Sequence, residues 1–205
     1  MAKDLKRAGP LLNYIINSSP YIHRDHSYSM TLEQENKTIW TIGHSNLPLE
    51  EFLSLLDAFN IQVVADIRRL PGSRKYPWYN QTELNLSLQE KDIRYVHFPG
   101  LGGRRTPRPD SKNTAWRNKA FIGYADYMET EEFKEAIQQM EKIASAERLA
   151  YMCAEAVWWR CHRALVSDYL KTHGWKVIHI MGKGKGTEHP YTSPARPEQG
   201  ELFYS

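Results

Sequence analysis

Residues 149–163, LAYMCAEAVWWRCHR, set Cys153, Glu155, Cys161, His162 and Arg163 close together in one short piece of chain. These residue types suit nucleophilic chemistry. A cysteine reacts as its thiolate, and nearby cations or a helix N-terminus favour that anion. Cys161 or Cys153 is therefore the candidate nucleophile, His162 or Glu155 the candidate proton carrier, and Arg163 a candidate anchor for an anionic group. Free cysteine is also among the most buried residue types, so either thiol taken alone would fit a core. A core has no use for Glu155, His162 and Arg163 at such short range, which weighs toward a site. The separation of eight positions between the cysteines is not a usual chelating spacing, and no metal is assigned.

Positioning these groups takes a strand and a helix. Residues 149–153 are an apolar run of buried-strand length, and residues 158–173 lack Gly and Pro and carry Cys161, Leu165 and Tyr169 at helical spacing. The polar residues then fall at a strand's C-terminal end and in the opening turns of the next helix, where ligands gather in open α/β sheets. Other segments point to the same edge. Residues 38–42 read as a strand ending in Gly43-His44-Ser45-Asn46, with an amphipathic helix over 49–59 capped by Ser45 or Asn46. Residues 62–67 read as a strand carrying Asp66, followed by Arg68, Arg69, Ser73 and Arg74. Asp66 is either the salt-bridge partner of Arg68 or Arg69 or a ligand-orienting group.

A helix over 82–91, a strand over 94–98 that delivers His97, helices over 121–128 and 130–146 with Thr130 as N-cap, and a strand over 176–180 complete the pattern. Strands alternating with helices predict a single three-layer α/β domain with a mostly parallel sheet of about five strands flanked by helices. His179 and His189 read as exposed or structural rather than as ligands.

Composition bounds the rest. A chain of 205 residues with 41% hydrophobic content suits one domain with a sizeable core. We expect an N-terminal extension over 1–37, too polar to order itself, the α/β domain over 38–191, and a flexible C-terminal tail over 192–205. Two cysteines, no secretory leader and no apolar run of membrane-spanning length predict a cytoplasmic protein without disulfides or a membrane partner. The net charge of +3 is too mild to demand a polyanionic partner, so its distribution matters more. Residues 100–119 concentrate it: Arg104, Arg105, Arg108, Lys112, Arg117 and Lys119 stand against Asp110 alone, with Trp116 among them. Gly102 and Gly103 there permit close backbone approach to a phosphate, and the loop suits a nucleic acid or nucleotide. Residues 199–203, QGELF, resemble the Gln-x-x-Leu-Phe peptides that dock bacterial repair and replication proteins on the sliding clamp.

Thr41-Ile42-Gly43-His44-Ser45-Asn46, Asp66-Ile67-Arg68 with Pro71 and Ser73-Arg74, Leu101-Gly102-Gly103, and Cys153-Ala154-Glu155 followed by Cys161-His162-Arg163 resemble the domain of unknown function 488 family. The resemblance spans residues 38–191. It implies a single α/β domain whose shared core holds these polar motifs, and it brings no reaction. The Cys161-His162-Arg163 triplet also resembles the active-site triplet of O6-alkylguanine DNA alkyltransferases, although Arg160 stands where that family has proline.

The leading expectation is an enzyme, a cysteine-dependent transferase or hydrolase, acting on a nucleic acid, nucleotide or other phosphate-bearing substrate. Its catalytic candidates are Cys161, His162, Glu155, Cys153, His44 and Asp66, and its substrate-binding candidates Arg68, Arg163, Ser73, Arg74, Gly102, Gly103 and Arg104. The alternatives are a noncatalytic nucleic-acid-associated module that uses the basic loop, and a metal-dependent hydrolase that uses His44, Asp66, Glu155 and His162. No cofactor is specified.

Overall fold

Six strands build the main sheet of the computed structural model, which describes residues 37–205; the extension expected over 1–37 lies, but for Lys37, outside the described residues. In chain order they are β1 (Thr38–Gly43), β2 (Val63–Asp66), β3 (Arg94–His97), β4 (Leu149–Cys153), β5 (Lys176–Gly182) and β6 (Lys185–Glu188). The helices are α1 (Leu49–Asp57), α2 (Gln81–Gln89), α3 (Lys119–Met128), α4 (Glu131–Ala144) and α5 (Arg163–Thr172). Spatial order is β3-β2-β4-β1-β5-β6, parallel except for the β5–β6 hairpin. The chain is an α/β domain of three layers, as its alternation of elements predicts.

Side-chain alternation builds the two cores. On β1, Ile39 faces one layer while Trp40 and Ile42 face the other; on β4, Leu149, Tyr151 and Cys153 take the first side and Ala150 and Met152 the second. Helices α3, α4 and α5 cover the first face with Tyr124, Phe133, Ile137 and Leu165. Helices α1 and α2 cover the second with Phe52, Leu56, Leu84 and Leu88. The split follows from chirality. From β1 the chain steps to β2 and β3 in one direction across the sheet, then returns through β4 to β5 in the other. Right-handed crossovers therefore put the first helices on one face and the later ones on the opposite face. Adjacent β1 and β4 send their following loops to opposite faces and leave a crevice between them at the strand C-terminal edge.

Two local expectations are corrected. Helix α1 starts at Leu49 with Pro48 at its N-cap position and no side-chain cap, so neither Ser45 nor Asn46 caps it, whereas Thr130 does accept from the Phe133 N–H at 3.4 Å and caps α4. The C-terminal residues do not hang free. Strands β7 (Arg196–Glu198) and β8 (Glu201–Phe203) form a hairpin whose turn places Gln199 and Gly200 at positive φ. Leu202 packs on the core and Tyr204 is buried, its hydroxyl donating to Asp168 Oδ2 at 3.0 Å. The QGELF segment is thus folded onto the domain, with Phe203 its exposed apolar side chain.

Candidate active site

A cavity of about 1000 Å3 opens in the crevice between the β1 and β4 loops. The β2 loop, residues 103–104, the first turns of α3 with Asn118 before it, and residues 160–162 ahead of α5 complete its wall. The two central loops are laced together: His44 N–H donates to Cys153 O at 3.1 Å and Ser45 N–H to Ala154 O at 3.0 Å. Gly43 is required there, because a Cβ would overlap the Glu155 carbonyl oxygen and come within 2.6 Å of an Arg163 terminal nitrogen.

The sulfur centre forms where β4 ends and α5 begins. Cys153 and Cys161 are free thiols with their sulfurs 3.2 Å apart. Arg163, buried behind them, donates from Nε to Cys161 Sγ at 3.4 Å, from one terminal nitrogen to Glu155 O at 2.6 Å and Ala156 O at 3.3 Å, and from the other to Thr41 Oγ1 at 3.4 Å. One guanidinium therefore braces the loop backbone and faces the thiol together. The two thiols diverge in acidity. Burial, and then the hydrogen bond with Cys161, push the Cys153 thiol well up. Burial acts upward on Cys161 too, but the Cys153 hydrogen bond, the Arg163 charge and the Arg163 backbone N–H outweigh it and bring Cys161 down to about 6. Cys161 is thus the more acidic of the two thiols, with Cys153 placed to donate to it.

A second chain of polar groups runs along the β2 side. Asp66, fully buried, accepts from Arg68 Nε at 2.9 Å, from Arg68 Nη2 at 2.5 Å, from the Arg68 backbone N–H at 3.0 Å and from the Tyr95 hydroxyl at 2.7 Å. Arg68 Nη1 lies 3.3 Å from His44 Nε2. His44 Nδ1 meets only the Ser45 carbonyl, at 3.0 Å, so Nδ1 carries the proton and Nε2 accepts from Arg68. Burial first, then the Arg68 charge, lower His44 to about 4, and its ring stacks on Tyr79 with centroids 3.9 Å apart. His162 is also neutral, lowered to about 4 by burial. Its Nε2 donates to Ile67 O at 3.1 Å, while its Nδ1 faces Gly103, where a Cβ would stand 2.9 Å away. His97 Nε2 donates to Arg68 O at 2.8 Å. Two histidines thus clamp consecutive carbonyls of the β2 loop.

The candidates separate into wall, support and bystander. Cys153, Cys161, His162, Glu155, His44, Arg68, Ser73, Gly103 and Arg104 border the cavity. Asp66 and Arg163 stand behind it and orient Arg68 and Cys161. Arg74 is exposed beyond the cavity, and Gly102 packs on the Arg69 backbone instead of lining it. Asp66 resolves in favour of the ion pair, with its oxygens occupied by Arg68 and Tyr95, which removes it from the proposed metal set. Among the described residues no three His, Cys, Asp or Glu groups gather as a metal site.

The basic loop is partly spoken for. Arg105 lies 3.5 Å over the Tyr127 ring, and Arg108 pairs with Glu129 at 2.5 Å and approaches buried Asp126 at 3.8 Å. Trp116, the aromatic residue of that loop, packs on Phe121 and Tyr204. Arg69, Arg104 and Arg160, all at the cavity wall, form no ion pair among the described residues. Tyr79, Tyr95, Phe121 and Tyr124 were not foreseen, because each reaches the site or its supports through tertiary packing with no local motif. His179 and His189 are structural and buried: Asp168 Oδ1 accepts from His189 Nε2 at 2.9 Å, and His189 Nδ1 meets His179 Nε2 at 2.9 Å.

A family model described as Domain of unknown function DUF488 matches residues 48–170. The chain belongs to the DUF488 family. The matched segment of this DUF488 protein holds Asp66, Arg68, both cysteines and Arg163, while His44 precedes it. No curated protein and no solved structure matches the chain. No described helix is long and apolar enough to cross a membrane.

Proposed function

We propose that this DUF488 protein is a cysteine-dependent enzyme that displaces a group at phosphorus on a nucleotide or other phosphate-bearing small molecule. The observation that carries this reading is the Cys161 sulfur, held between the Cys153 thiol and Arg163 Nε at the wall of a cavity edged by guanidinium groups that form no ion pair among the described residues. A thiolate is the strong nucleophile among the groups present, and its anion is sustained by fixed donors.

The substrate phosphate sits against Arg69, Arg104 and Arg160, whose donors match its oxygens, while Arg68 is oriented by Asp66 and His44. Leu70, Tyr76, Phe121 and Tyr124 add apolar and aromatic wall, which suits a base or other ring attached to the phosphate. Cys161 attacks phosphorus, the S–P bond forms and the P–O bond to the leaving group breaks. Glu155, at the cavity wall with no ion-pair partner among the described residues, gives a proton to the leaving oxygen and recovers one from the water or acceptor hydroxyl that attacks next. Water or a second acceptor then cleaves the S–P bond and restores the thiolate. His162 and His97 support this chemistry by fixing the loop that carries Arg68.

The test is turnover of aryl phosphate and a nucleotide panel, with orthovanadate as a phosphate mimic. Cys161→Ser is expected to lower turnover by roughly 10³-fold or more while the circular dichroism spectrum is retained, and Glu155→Gln by about 10²-fold. In the wild-type protein, vanadate should shield Cys161 from iodoacetamide. Absence of both turnover and shielding removes the proposal.

A further inference from the structure

Cys153 and Cys161 are the two cysteines of the chain, so any disulfide within one molecule must join them. Their sulfurs are unbonded at 3.2 Å, with no atom to be cleared from the path between them. The loop connecting them runs through exposed residues 154–156, whereas Cys153 itself ends a strand central in the sheet. The two surroundings differ. Cys161 faces the Arg163 guanidinium and precedes α5, while Cys153 accepts one weak contact from the Glu155 N–H at 3.4 Å. An attacking thiolate with a protonated thiol directly beside it is the arrangement of a two-cysteine redox centre, in which one sulfur is oxidised and the other resolves it.

We propose that Cys161 and Cys153 form a redox-active pair that is oxidised by small hydroperoxides to an intramolecular disulfide, silencing the site until a dithiol reductant reopens it. This rests on the reading of Cys161 as the reactive thiol. The Cys161 thiolate attacks a peroxide oxygen, an S–O bond forms and the O–O bond breaks. The departing oxygen takes a proton and leaves as an alcohol, or as water when the oxidant is hydrogen peroxide. Cys161 is thereby oxidised by two electrons to a sulfenic acid. Cys153 then attacks that sulfur: the S–S bond forms, the S–O bond breaks, and the hydroxyl leaves as water with the Cys153 proton. In total two thiols and one hydroperoxide give one disulfide, one alcohol and one water. Disulfide exchange with a dithiol reverses the change. The oxidant and the reductant reach Cys161 from the cavity that it borders, where 6% of the residue is exposed.

The experiment uses the full wild-type chain, reduced and then treated with a small molar excess of hydrogen peroxide. Remaining thiols are capped with iodoacetamide before intact-mass measurement and peptide mapping. The expected result is a monomer that has lost two hydrogens, takes up no alkyl group, and yields one linked peptide joining Cys153 to Cys161; dithiothreitol should restore both alkylatable thiols. In Cys153→Ser, Cys161 should instead stop at a sulfenic acid captured by dimedone. Two thiols still alkylatable after peroxide treatment, or progression of Cys161 to sulfinic and sulfonic acids without a link in the wild type, would overturn the proposal. The wild-type measurement decides even if the variant does not fold. Phosphate-ester turnover without the linked peptide sinks this inference and leaves the proposed activity standing, whereas the linked peptide without turnover does the reverse.

Discussion

Arg163 is a buried cation whose donors are divided between a sulfur, two backbone carbonyls and a threonine hydroxyl. Such a residue cannot be exchanged for another cation without loss. Lysine carries a compact charge with no planar fork, so it cannot serve Cys161 Sγ and the Glu155 carbonyl in one geometry. Arg163→Lys should therefore raise the midpoint of the pH profile of Cys161 alkylation from about 6 toward the ordinary thiol range. The profile is measured by iodoacetamide kinetics with Cys153 in place, alkylation of Cys161 being followed on its own peptide. An unmoved midpoint would mean that the helix start and the Cys153 contact alone sustain the thiolate. The Asp66–Arg68 pair has the same logic on the other wall. Both charges are buried, and each is tolerable because the other is present with Tyr95 and His44 as further partners.

At the scale of elements, the site depends on the close approach of two loops that leave neighbouring strands for opposite faces of the sheet. Register pairs Gly43 with Cys153, so the backbone that follows β4 is laid directly against Gly43. Gly43→Ala would drive a methyl group into the Glu155 carbonyl and against Arg163. We expect a loss of roughly 1–3 kcal/mol in urea unfolding, typical of overpacking, together with slower Cys161 alkylation, because the loop that must shift carries the guanidinium's acceptors. Gly72→Ala is the control: nothing lies within 4 Å of a Cβ there, and its unfolding should stay within about 0.5 kcal/mol of wild type. Equal effects at the two glycines would deny the β1–β4 contact its special place.

Across the whole molecule, neutral histidines tie the layers together. His44 joins the β1 loop to Arg68, His162 joins α5 to the β2 loop, and both are lowered to about 4 by burial. In the unfolded chain each would titrate near 6.5. Between these values the unfolded state binds more protons than the folded one, so stability rises with pH across the window and is lost as pH falls from about 6.5 toward 4. Each ring accounts for roughly 3 kcal/mol at full effect. Urea midpoints measured at pH 7 and pH 5 should show the fall, and His162→Gln should reduce the difference. A flat response would mean that these rings are protonated in the folded protein. The C-terminal hairpin extends the same cohesion. Tyr204 after it, and Thr192 and His189 before it, close on Asp168 of α5, the helix that follows Cys161.

How much of this was legible in the chain differs by type of feature. The strand and helix segments were readable from local alternation and periodicity: β4 at Leu149–Cys153 falls on the expected residues, and α5 starts only a few positions later than expected because a 3-10 turn, Trp158–Arg160, precedes it. The grouping of Cys153, Glu155, Cys161, His162 and Arg163 was visible because these residues are neighbours in sequence. Partnership across segments was not. That Arg68 belongs to Asp66 and His44, that Arg105 and Arg108 are engaged by Tyr127 and Glu129, and that residues 199–203 fold back as a hairpin all depend on which surfaces meet. Residue types and periods determined the α/β elements and the reactive inventory, since they act over one or two turns of chain. Only tertiary structure decided which thiol is the more acidic and which arginines at the cavity form no ion pair among the described residues, because burial and charge pairing arise between residues that sequence order keeps far apart.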